Sequence, residues 1–238
     1  MIGYEATTKG AGEYTMGDRI ECGAERFHKD AFDRTTEKRR KTVLDVAINL
    51  FAEHGYSATS INDIARDAHI SIGAMYSYFA SKEDLYFTIV NSAYRLMTGV
   101  LYDIADSSAD IFDYTAKMLV ACRRFALEYP KLNQLYLDMT TQALSSMSVR
   151  LSDKIEMITP DVAGKLIRAG KRAGIVRPDA DERVFALCID NIFMMYQFSL
   201  SSEYYRERLR IYLGDDRLEN IEDVERAILT FVRGALSA

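Results

Sequence analysis

The sequence predicts an all-α chain, with a short helix-turn-helix unit near its N-terminus and a longer helical unit behind it. Three observations carry the prediction. Apolar residues recur at i, i+3, i+4 and i+7 along most of the chain, and strand-like alternation is scarce. Only three prolines occur in 238 residues, and Pro130 and Pro160 stand where helices would stop or start. Within Thr59–Lys82, Ser60, Ser71 and Ser81 each precede a short apolar repeat. Serine caps at that spacing give two short helices, a tight turn and a third helix arriving at once.

Each element follows from its own residues. Residues 1–33 carry five glycines and no sustained periodicity, and read as a mobile extension, with a helical tendency near Ala24–Phe32. Met16 is a second candidate start. Thr35 or Thr36 caps a helix over about 36–54 whose buried stripe is Val43, Ala47, Leu50 and Phe51. Gly55 suits the left-handed position after it. Ser60 caps a helix through Ile61, Ile64, Ala65 and Ala68, and Ser71 caps one through Met75 and Phe79. The outward face of that second helix is Ile72, Gly73, Ala74 and Ser77: small, uncharged and open to close approach. A long helix follows over about 82–105. Asp110 caps another to about 129, Pro130 leads into one to about 145, and Pro160 sits at the first position of one ended by Gly174. Asp179 or Asp181 opens a helix to about 201, and Asn220 caps the last. The expected division is extension 1–33, helix-turn-helix domain 34–82 and C-terminal helical domain 83–238.

The net charge is −5, so DNA binding needs a local basic patch. Arg34, Lys38, Arg39, Arg40 and Lys41 supply one, with Arg66 and Lys82 further on. The three cysteines, Cys22, Cys122 and Cys188, lie far apart with no metal-ligand spacing, so neither a metal site nor a disulfide framework is expected. The N-terminus is polar and no apolar run reaches spanning length, which reads as a cytoplasmic chain with no membrane partner.

In order and without gaps, Ala47, Leu50, Phe51, Gly55, Tyr56, Thr59, Ile64, Ala65, Gly73, Tyr76, Phe79, Ser81, Lys82, Glu83 and Leu85 match a known pattern. The segment from about Glu37 to Leu85 resembles the DNA-binding domain of tetracycline-repressor-like (TetR family) transcriptional regulators. The resemblance implies a homodimeric, ligand-responsive repressor of a palindromic operator. It implies phosphate contacts at Ser60, Tyr76, Tyr78 and Lys82, and groove-edge contacts at Asn62, Ser71, Ile72, Ala74 and Ser77, with Gly73 leaving room between them. Two positions depart from the family pattern: His69 stands where glycine is usual and must take positive φ, and Ile72 stands where a polar residue is common. Ile72 and Ala74 can pack on a thymine methyl but cannot hydrogen-bond a base.

The C-terminal helices carry no motif. Phe112, Met118, Phe125, Tyr136, Met139, Met157, Phe193 and Tyr196 are either plain core or, as a group, the lining of an adaptable pocket for a small apolar or amphipathic effector. Val184–Leu200 is apolar almost all round, and the last helix keeps a strict helical repeat. The expected dimer interface is therefore Phe185, Ile189, Ile192, Met195, Val224, Ile228, Phe231 and Val232, joined as a four-helix bundle. An enzyme is not expected. The three histidines at 28, 54 and 69 lie outside the C-terminal domain and no activated nucleophile or cofactor motif stands out. A DNA-binding dimer governed by a protein partner instead of a small molecule is the alternative.

Overall fold

A computed structural model describes residues 26–140 and 158–238. Among the described residues every element is helical: α1 Asp30–Asp33, α2 Glu37–Ala58, α3 Ile61–Asp67, α4 Ile72–Tyr78, α5 Lys82–Ser107, α6 Ile111–Glu128, α7 Pro130–Met139, α8 Ile158–Arg172, α9 Glu182–Ser201, α10 Glu203–Leu213, α11 Asp215–Leu218 and α12 Ile221–Leu236. One isolated antiparallel bridge joins Val176 and Ser237. The chain divides into two compact units after Leu96. The expected boundary at 82/83 differs because the start of α5 belongs to the first core: Leu85, Tyr86, Phe87, Ile89 and Val90 are all buried.

The first unit is built on caps. The Thr36 side chain accepts from the Arg39 amide at the start of α2, Ser60 accepts from Asp63 before α3, and Ser71 accepts from Ala74 before α4. Ser81 accepts from the Asp84 amide as α5 begins. The helical course of α2 breaks at Gly55, with φ 77° and ψ 165°. That combination is open essentially to glycine alone, so the expected left-handed cap is instead a sharper exit. Val43, Ala47, Phe51, Ile64, Met75 and Phe79 close the core. The Phe51 ring stands edge-on to Tyr86 with centroids 5.1 Å apart.

Residues 26–33 differ from the mobile extension expected of them. Phe27 and Phe32 are buried, Phe27 against Phe87 at 4.8 Å and Phe32 against Phe79 at 4.8 Å. Two phenylalanines in a polar segment give no helical period, so this attachment left no trace in the pattern. The rest of the extension, residues 1–25, lies outside the described residues.

In the second unit α9 is the central helix, packing on α6, α7, α8 and α10, while α12 packs on α6. Asp110 caps α6, accepting from the Phe112 and Asp113 amides, and Asp181 caps α9, accepting from Arg183 and Val184. Asn220 occupies the cap position of α12 but its side chain makes no capping hydrogen bond. The core gathers Ile111, Tyr114, Leu119, Ile167, Val176, Ile189, Phe193 and Leu236. Gly170 is required by contact: a Cβ there would lie 2.6 Å from Val176 Cγ2.

Among the described residues helix α9 is long and apolar enough by composition to span a membrane, contrary to the expectation that no run would be. Its two faces explain this. Ala186, Ile189, Phe193, Tyr196 and Phe198 enter the core, while Val184, Leu187, Cys188 and Met195 form a second apolar stripe that faces outward.

Candidate nucleic-acid interface

Helix α4 exposes one side. Ile72 and Tyr76 are each 48% exposed, Ser71, Gly73 and Ser77 are exposed, and Ala74 is half-buried. Asn62, on α3, is exposed as well. The opposite side holds Met75 and Tyr78 in the core. A Cβ on Gly73 would meet only Ser71 Oγ, at 3.9 Å, so nothing in the protein demands glycine there. The bare surface faces outward. The Ser77 hydroxyl donates to Ala74 O at 2.7 Å, which leaves its oxygen as an acceptor.

Three of the expected phosphate contacts are otherwise engaged. Tyr78 is buried, its ring 5.4 Å from Phe32 and its hydroxyl 3.5 Å from Thr35 Oγ1. Of the neighbouring tyrosines only Tyr76 points outward, as two residues on opposite sides of a short helix must. The Ser60 hydroxyl donates to Asp63 Oδ2 at 2.6 Å while accepting from the Asp63 amide, so its one proton is committed to the cap. That bond is the leading cause of the Asp63 carboxyl lying below its usual range.

Lys82 differs most from expectation. Its ammonium donates to Tyr56 O at 2.7 Å, to Thr59 O at 2.9 Å and to Ser57 O at 3.5 Å, and stands 4.3 Å from the Tyr56 ring centre. An ammonium has three N–H groups, and here all three meet carbonyls that the end of α2 leaves open. Burial lowers the Lys82 pKa. Lys82 thus ties α5 to the turn after Gly55.

The wider basic patch is thinned in the same way. The Arg40 guanidinium donates to Asp33 O at 2.8 Å and Thr35 O at 2.5 Å, and Arg66 pairs with Asp63 and Asp67. Arg34, Lys38, Arg39 and Lys41 remain exposed. His69 takes φ 54°, the only positive φ on a non-glycine residue among the described residues, so the turn keeps its shape without glycine.

In the second unit the expected effector set is not one lining. Phe112, Met118, Phe193 and Tyr196 belong to a single buried core, and Met139 is buried apart from it. Phe125 is half-buried against Tyr129, and Tyr136 against Phe198. Met157 lies outside the described residues. Sequence reasoning missed the polar atoms of this core. The Tyr114 hydroxyl is buried with no hydrogen-bond partner. Burial, then the nearby Asp190 carboxylate, raises its pKa. Tyr196 donates to Glu225 Oε1 at 2.8 Å, and Arg123 binds the same carboxylate from the other side, Nε to Oε1 at 2.8 Å. Arg123 also donates to Glu222, and Arg124 pairs with Glu128, so neither arginine is held for an anion.

The expected dimer residues also separate. Ile189, Val224 and Val232 are buried inside the one chain, and Phe185, Ile192 and Ile228 are half-buried. Only Met195 and Phe231 are exposed, Phe231 by 68%. A helix apolar on both faces gives the same periodicity whichever face is inside, so the repeat does not single out Val184 and Leu187 as the outward residues.

A capped helix pair joined by a tight turn, with a slim uncharged face outward, is a helix-turn-helix unit. Residues 43–89 match the profile of bacterial regulatory proteins of the tetR family. That match covers the helix-turn-helix segment and the start of α5. It is 25% identical over 213 residues to the HTH-type transcriptional regulator HbdR of Aromatoleum sp. (strain CIB), across 86% of this chain and 84% of that protein. It is 38% identical over 72 residues to the HTH-type transcriptional repressor KstR2 of Mycobacterium tuberculosis, a stretch spanning only 36% of that relative. The fold matches the solved SmeT–triclosan complex with a TM-score of 0.61 at 20% identity, over 85% of this chain and 93% of that one.

Proposed function

We propose that this protein is a homodimeric repressor that reads a palindromic operator with α4 and releases it when a small apolar or amphipathic effector binds the second unit. The observation that carries the reading is the exposed, side-chain-poor surface of α4. Ile72, Gly73, Ala74 and Ser77 let a helix lie deep in a major groove, and Asn62 and Ser71 add polar reach to base edges. Tyr76 supplies an exposed hydroxyl for the sugar-phosphate backbone. Two copies are supported by the outward apolar stripe of α9, Val184, Leu187, Cys188 and Met195, and by exposed Phe231 on α12. KstR2, a relative by sequence, is named a repressor, and a protein of the same fold is named in complex with triclosan. The unpartnered Tyr114 hydroxyl supports an effector that brings a hydrogen-bonding oxygen or nitrogen into an apolar core. The protein works in the cytoplasm, where its DNA is.

The test is a binding titration on the DNA flanking its own gene, with and without candidate effectors. Binding of that duplex well above an unrelated one, altered in base preference by Ile72→Ala, supports the reading. Equal binding to both duplexes, or none, contradicts it. An effector should raise the melting temperature of the free protein, because it binds only the folded state. Tyr114→Phe should weaken that shift while leaving the apo melting temperature almost unchanged.

A further inference from the structure

We propose that Lys29, outside the segment that matches the family profile, is a DNA-backbone contact of this protein and the residue that fixes the C-terminal end of the reading helix. The inference rests on α4 being the DNA-reading element. A helix of seven residues leaves its last carbonyls without partners inside the helix. One upstream residue takes two of them: the Lys29 amide donates to Tyr78 O at 2.8 Å, and its ammonium donates to Tyr76 O at 2.8 Å. Positive charge at a helix C-terminus is favourable in itself. The contact is anchored on both sides, because Phe27 and Phe32 are buried two residues before and three residues after. Arg26 and His28 both bond Asp33, which closes the strap around Lys29.

Lys29 differs from Lys82, Arg40 and Arg66 in what it has left, and from exposed Arg34, Lys38, Arg39 and Lys41 in being fixed to the reading helix. Its side chain is exposed and one of its three N–H groups is used, so two remain. Lys82 has spent all three on carbonyls, and Arg40 and Arg66 are bound to carbonyl and carboxylate oxygens. The remaining N–H groups stand at the C-terminal end of the reading helix, where the ammonium meets the backbone of Tyr76. A phosphodiester oxygen reaching that end of the helix meets a charged donor already held in place, so little side-chain freedom is lost on contact. Each phosphate neutralised this way releases condensed counterions and gives binding its salt dependence.

The experiment uses the full chain, a labelled duplex from the region flanking its gene and an unrelated duplex, titrated across a salt series. Lys29→Gln keeps the backbone bond to Tyr78 and an amide able to donate to Tyr76 O, but removes the charge. It should weaken both duplexes by roughly tenfold. It should also lower the slope of log affinity against log salt by about 1, with the melting temperature unchanged. Lys29→Arg should retain the wild-type slope. Lys82→Ala should lower the melting temperature and keep the slope. A Lys29→Gln slope equal to wild type, or a slope lost in Lys82→Ala alone, overturns the assignment while the DNA-binding reading stands. Wild-type protein that binds neither duplex overturns both.

Discussion

At the residue scale, the cost of a side chain depends on what its backbone must do. His69 holds φ 54° in the turn between α3 and α4. A left-handed residue costs about 1–2 kcal/mol for most side chains, and histidine is among those that tolerate it better. Glycine would remove that strain but add backbone entropy to the unfolded chain, and the two nearly cancel. His69→Gly should therefore change stability by no more than about 0.5 kcal/mol, and His69→Val should destabilise by about 1–2 kcal/mol, read from urea unfolding. Gly73 presents the opposite case. With open space around it, Gly73→Ala should stabilise the head by about 0.5–1 kcal/mol through helix propensity. The same methyl should weaken operator binding, because it occupies the surface that approaches the groove. Gain in stability with unchanged DNA affinity would show that the bare face is not where DNA lies.

At the element scale, the caps were legible in the sequence because they are local. Ser60, Ser71 and Asp110 each sit one residue ahead of a helix and bond within three residues. Asp110→Ala should cost about 1 kcal/mol, measured by denaturant unfolding, since it leaves two α6 amides uncapped. What was not legible depended on distant partners. Nothing in Ser81–Lys82–Glu83 reveals that the Lys82 ammonium is spent on carbonyls 23 to 26 residues earlier. Nor does the extension announce that Lys29 holds carbonyls of α4. On α6, Cys122 looks like any apolar position, but burial, with Asp190 and Glu225 nearby, pushes its thiol up to about 12. Unfolded, that thiol ionises at about 8.5. Between these values the folded chain keeps a proton the unfolded chain has lost, so stability is intact below about pH 8.5 and falls as pH rises toward 12. Melting temperatures from pH 8 to 10 should show this decline, and Cys122→Ala should flatten it. An equally steep decline in that variant would place the cause elsewhere.

At the scale of the whole molecule, the same helix serves two surfaces. One side of α9 builds the core of the second unit and the other exposes Leu187 by 60%, with Val184, Cys188 and Met195 along the same stripe. Sequence periodicity showed that both sides were apolar and so pointed to a second copy. It could not say which residues belonged to which side, and Ile189, Val224 and Val232 proved to be internal. In the proposed dimer, Leu187→Glu and Phe231→Glu place charge on the shared face while leaving the core intact. Each should shift sedimentation equilibrium toward the monomer without lowering helical content. The most direct measurement of the central claim is sedimentation of the wild-type protein with a labelled duplex from the region flanking its gene, beside an unrelated duplex. The account predicts an even number of chains on the flanking duplex, in twofold pairs, and affinity on the order of a thousandfold or more above the unrelated one. A single chain per duplex, or equal affinity for the two sequences, would contradict it.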